Sequence, residues 1–125
     1  MSLPSWAPSA ADVAAHLPQR FGGSEPSAST IPTKDQVDKV IGDRVAEVKH
    51  RCGRIDNHTE QVGALAKATV TLGAAAYLEN SWWPEQGEGD PSAVFLRRRY
   101  EEHVEMLRRE VHYLWREQHY VEDDE

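Results

Sequence analysis

An all-α fold, a small bundle of about four helices with one short at the N-terminus and three long, is what this 125-residue chain predicts. Three observations carry the prediction. Pro, Gly and Ser clusters divide the chain into segments with helical apolar spacing, no alternating apolar–polar run intervenes, and consensus cap residues stand at the segment edges. The length suits one domain. The division expected is an arm over 1–32, a helical body over 33–121 and an acidic tail over 122–125.

The first helix is expected over residues 9–17. Ser9 is its N-cap, Asp12 faces the positive helix end, Val13 and Leu17 share a stripe, and Pro18 stops it. "QRFGGSEPSASTIP" then reads as a flexible linker or mobile arm. Thr33 and Gln36 form a capping box ahead of Val37, Val40, Ile41, Val45, Val48 and Cys52, and Gly53 is placed as the C-cap behind Lys49, His50 and Arg51. This second helix spans about 28 Å. The third is expected from Asn57 or Thr59 to about Ser81, where Pro84 forbids continuation. Its Gly and Ala residues mark it as the central helix, with close packing expected to offset the cost of Gly63 and Gly73. The fourth starts at Asp90 or Ser92 with a seam of Tyr100, Val104, Leu107, Val111 and Leu114. Arg97/Glu101, Arg98/Glu102 and Glu105/Arg109 are expected as i,i+4 pairs on its outer side.

Composition narrows the function classes. With 14 Lys and Arg against 21 Asp and Glu, the formal charge of −7 argues against a general nucleic-acid or anionic-membrane binder. The least polar run, Val62–Leu78, contains Lys67 and is mostly Ala, Gly and Thr, which suits a buried helix better than a bilayer span. The opening residues lack a basic start with an apolar block, so no signal peptide is expected. The lone Cys52 cannot form an intrachain disulfide and fits a reducing cytoplasm.

No catalytic residues, metal ligands or cofactor are expected. His112 and His119 lie seven apart without a third ligand, and His16, His50, His58 and His103 have no useful spacing. Glu102/Glu105 and Glu122/Glu125 form two ExxE pairs superficially like those of all-α metal-dependent nucleotide hydrolases. They follow one another on one helix and its tail, whereas four converging carboxylates need facing helices. No GxSxG, phosphate-cradling Gly-rich loop or Cys/His pattern occurs. The aromatics point instead to an interface: Trp82 and Trp83 stand before Pro84, while Tyr113, Trp115 and Tyr120 crowd more than one face of the last helix. A tryptophan of the pair can equally cap the bundle. Arg97, Arg98 and Arg99 form the one basic cluster, followed at once by glutamates.

Three stretches carry a resemblance to a known family. "PSAADVAAHLPQR", "IPTKDQVDKVIGDRVAEVKHRCG" and "ALAKATVTLGAAAYLENSWWPEQ" resemble, in order and spacing, the head-to-tail adaptor (head-completion connector) proteins of tailed bacteriophages, of the actinobacteriophage siphovirus type, and the fourth helix fits with its "YEEHVEMLRREV". The resemblance covers most of residues 9–111 and contains no catalytic signature. It implies a non-enzymatic virion protein, assembled in the host cytoplasm, that forms a usually dodecameric ring of its own copies between the portal protein and the next connector or tail-completion protein. Free subunits need not be oligomeric. Double-stranded DNA passes through the channel without sequence-specific binding, and no membrane is involved. By the same analogy, 115–125 docks on the portal and 81–89 meets a neighbour or the next ring, with Arg97, Arg98 and Arg99 as candidate lateral contacts. The other readings of the residues are a small cytoplasmic helical regulator that binds one protein, and a helical hydrolase using the glutamates.

Overall fold

The computed structural model of the chain describes residues 3–17, 20–21, 25–53, 55, 60–82 and 91–123, the last helix without the side chains at 91, 92, 114, 115 and 117–123. Four helices follow one another, α1 (Ala10–Ala14), α2 (Lys34–Cys52), α3 (Glu60–Trp82) and α4 (Pro91–Asp123), and the described residues include no strand. The all-α expectation holds, with one short helix and three long ones.

Local chemistry explains the boundaries. Ser9 and Asp12 exchange hydrogen bonds in a capping box, Asp12 N to Ser9 Oγ at 3.1 Å and Ser9 N to Asp12 Oδ2 at 2.9 Å. The Ser9 backbone amide holds the Asp12 carboxyl below its ordinary range. α1 stops at Ala14, short of the expected Leu17, because the amides of His16 and Leu17 turn back to the carbonyls of Val13 and Ala14 in tighter i→i+3 bonds. Thr33 and Gln36 cap α2 as predicted, and Gly53 closes it at φ 85°, a left-handed value that favours glycine. α4 runs through Asp123, so the acidic run expected as tail begins inside the helix.

The linker after α1 has no helix, in keeping with its composition, yet its described residues are anchored. Phe21, Pro26 and Pro32 are buried, Lys34 N donates to the Ser27 carbonyl at 2.9 Å, and Thr30 Oγ1 donates to Pro32 O at 2.8 Å. The Ile31–Pro32 peptide is cis. Arg20 adds the strongest tie: its Nε reaches both carboxylate oxygens of Glu79 at 3.2 Å, and Nη2 also donates to Oε1. Glu79 is only 4% exposed, so this pairing is what makes its burial in α3 tolerable. Trp6, Val13, Leu17 and Phe21 therefore join α2, α3 and α4 in a single core.

α3 is the middle element. Val62, Ala66, Val70, Leu72, Ala74, Ala75 and Leu78 are buried, and α1, α2 and α4 all pack against it. The two glycines differ. A β-carbon at Gly73 would lie 2.6 Å from Cε1 of Tyr100, so only a bare α-carbon lets the ring in; one at Gly63 would meet the Trp6 β-carbon at an ordinary 3.9 Å. Close packing offsets the first glycine and not the second, which corrects the expectation for Gly63. On α4, Leu96, Tyr100, Val104 and Leu107 are buried and Val111 packs at the edge. Counted along both helices from the Gly73–Tyr100 contact, Glu60 stands level with Tyr113, so α4 continues roughly 15 Å past that level. No helix among the described residues is long and apolar enough to cross a membrane.

Gly73→Ala is predicted to cost about 1–3 kcal/mol in urea unfolding, the range of an overpacked core. Gly63→Ala should be neutral or stabilising by up to about 1 kcal/mol.

Candidate functional site

A groove of about 290 Å³ opens where α2, α3 and the first turns of α4 meet. On α2, Arg44, Glu47 and Arg51 recur at steps of three and four, beside the buried stripe of Val45, Val48 and Cys52, and so line its wall. Gly73, Ala76, Tyr77 and Asn80 of α3 form the second wall, and Ala93, Val94, Arg97, Tyr100 and Glu101 of α4 the third. The small residues at 73, 76 and 93 keep the space open, while the polar ends of long side chains converge on it.

Its charges are partly paired. Arg51 crosses from α2 to grip Glu101 with two bonds, Nη2 to Oε2 at 2.7 Å and Nη1 to Oε1 at 3.2 Å. This bond holds the Glu101 carboxyl below its ordinary range and raises Arg51 still further. Arg51 also lies 6.0 Å from the Tyr100 ring centroid. The Tyr100 hydroxyl donates to Glu47 Oε1. Burial, and then that bond to a carboxylate, push the phenol above its ordinary value, so it serves as a neutral donor. Arg44 stacks 5.2 Å above the Tyr77 ring and reaches Glu47 at 3.5 Å, while its Nε is buried with no hydrogen-bond partner among the described residues. Arg97 stands at the exposed rim. The chemistry on offer is anion recognition by guanidinium groups beside an aromatic ring.

The residues expected at an interface divide. Trp82 is half-buried against the core with its ring 6.4 Å from that of Tyr77 at 58°, so it closes the α3 end of the bundle. Trp83 and Pro84 lie outside the described residues, and Trp115 and Tyr120 occupy α4 with side chains that are not described. Tyr113 is exposed. The arginine triplet does not act as one cluster: Arg97 faces the groove, Arg98 is exposed and does not line it, and Arg99 lies 5.7 Å from the Phe95 ring centroid. Glu101 turns to Arg51 instead of the expected Arg97. Glu105 meets Arg109 as expected, and Arg108 as well, each at 3.5 Å. Among the described residues, no group of three or more His, Cys, Asp and Glu is placed to hold a metal ion.

Sequence reasoning missed Arg44, Glu47 and Tyr77, whose meeting depends on how α2 crosses α3. It named Tyr113 but missed the apolar line to which Tyr113 belongs, which spacing does reveal. Phe95, Met106 and Tyr113 are 57%, 51% and 58% exposed. Steps of eleven and seven residues place them within about 20° of one line along α4, turned away from its buried seam.

Tyr100→Phe removes the bond to Glu47 and is predicted to cost about 1–2 kcal/mol near neutral pH. A folded-state phenol pKa raised above 10.0 gives stability that is complete below pH 10.0 and lost as pH rises through the folded value. Urea unfolding from about pH 8 to about pH 11 should therefore show the wild type losing its advantage over Tyr100→Phe.

Compared with protein-family models, curated proteins and solved structures, the chain finds no match, and its functional reading rests on its own residues.

Proposed function

We propose that this chain is a structural virion protein: a head-to-tail adaptor, non-enzymatic, that assembles as a ring between a phage portal and the next connector protein. The observation that carries the reading is the exposed line of Phe95, Met106 and Tyr113 on the outer side of α4. A helix with one apolar seam in the core and a second line of large apolar side chains in water is composed for contact with another protein. The stretches on which the resemblance to adaptors rests fall largely on the capped α2, the small-residue α3 and the long α4.

The parts have natural roles in this reading. α2 and α4 present unlike outer surfaces, as a heterologous ring contact requires. The extension of α4 beyond α3 sets positions 115 and 120 past the subunit's own bundle, where an assembly partner can meet them. A formal charge of −7 keeps the channel wall from holding a passing DNA strand. The site of action is the neck of the virion, after assembly in the host cytoplasm.

The decisive experiment is electron microscopy and native mass spectrometry of the chain mixed with the portal protein encoded in its own gene neighbourhood. A ring on the portal is expected. A chain that never associates with portal, from a neighbourhood without portal and tail genes, would favour a cytoplasmic protein-binding regulator instead. Within the adaptor reading, Tyr113→Ala should leave subunit stability within about 0.5 kcal/mol, as for an exposed position, while lowering the fraction of chain bound to portal. An equal loss of folding stability would place Tyr113 in the core.

A further inference from the structure

We infer that the groove lined by Arg44, Arg51 and Arg97 is a carboxylate-binding site, and that its occupant is the acidic run Glu122–Glu125 of a second copy of this chain. The choice of a second copy rests on the ring reading; the recognition of carboxylates rests on the groove itself. Arg51 is held by Glu101, and Glu47 is engaged by Tyr100 and Arg44. What the groove still presents is the guanidinium of Arg97 at the rim, next to Arg44, whose reach to Glu47 is long at 3.5 Å and whose Nε, shut off from solvent, has no hydrogen-bond partner among the described residues. The first turn of α4 adds its positive helix end, because Ala93 and Val94 line the same space. Donors fixed in this way, beside the Tyr77 ring, suit a carboxylate on a peptide.

Charge complementarity and distance select the occupant. In a chain of net −7, a groove lined by guanidinium groups stands out, and "EDDE" is the densest acidic run in the sequence. A chain cannot fill its own groove with it, since α4 is continuous from Arg97 to Asp123, a rise of roughly 39 Å. The contact is then heterologous, the far end of one α4 meeting the near end of the next, an arrangement that makes a ring where the rotation between copies closes. Each contact is weak alone and is strengthened by the effective concentration within an assembly.

The test is an NMR titration of the full isotope-labelled chain with the acetylated, amidated peptide His119–Glu125, and with the same peptide carrying Gln and Asn in place of Glu and Asp. The acidic peptide should give saturable shifts at Arg44, Tyr77 and Arg97 that fade with salt, and the neutral one should not. Arg97→Gln, at an exposed position, should keep the fold and weaken binding about fivefold, the loss expected for one exposed charge contact. Unsaturable shifts, shifts elsewhere, or equal binding by Arg97→Gln would overturn the site. Binding seen only after Glu85→Gln and Glu88→Gln would assign the groove to the neighbouring segment of the same chain and overturn the second-copy occupant. No ring is needed for the titration. A peptide-binding groove in a chain that never joins a portal would remove the adaptor function and leave the site, whereas a ring formed by a chain with a silent groove would remove the site alone.

Discussion

The Tyr100 ring occupies the space where a β-carbon at position 73 would stand, and the arrangement of the three long helices depends on that one close approach. With glycine there, the ring passes along α3 and its hydroxyl emerges on the far side to bond Glu47 of α2. One side chain thereby ties α4 to both neighbours. Arg51 lies over the ring and pairs with Glu101 one residue further along α4, which fixes the same level of α2 a second time. A core of many interchangeable Ala and Val contacts leaves register loosely specified, and a large ring in a glycine socket with a charge-assisted bond at its tip fixes it.

The groove follows from this arrangement. Tyr100 and Gly73 both line it, together with the parts of α2, α3 and α4 around their contact. The internal pairs satisfy both carboxylates and leave guanidinium groups at the opening, which gives a local positive site on a negative protein. At the opposite side of α4, Phe95, Met106 and Tyr113 form the outward line on which the assembly proposal rests. The N-terminal arm contributes differently: Arg20 neutralises Glu79 near the Trp82 end of α3, and Phe21 completes the core there, so the end of α3 that leads toward the groove is braced from outside.

Much of the fold was legible because its determinants are local. The reciprocal bonds of Thr33 and Gln36, the left-handed Gly53 and the four-three seam of α4 each involve residues within a turn or two, which sequence spacing reports directly. The small residues of α3 revealed a central helix but not which glycine mattered, since that depends on Tyr100 facing Gly73 across the bundle. The site was much less legible. Spacing assigned Glu101 to Arg97, yet a local i,i+4 pair is worth only about 0.3–0.5 kcal/mol, and a two-bond partner on another helix displaces it. Arg44, Tyr77 and Glu47 meet only through the packing of α2 on α3. The Phe95, Met106 and Tyr113 line is present in the spacing of α4, at steps of eleven and seven residues beside the four-three repeat of its core seam.

The central claim, that Gly73 exists to admit Tyr100, is tested most directly by a double-mutant cycle in urea between Gly73→Ala and Tyr100→Ala. If the ring is the reason for the glycine, the cost of the added methyl disappears once the ring is gone, and the two changes couple by about 1–3 kcal/mol. Costs that simply add would contradict it, and the register of the bundle would then have to come from elsewhere.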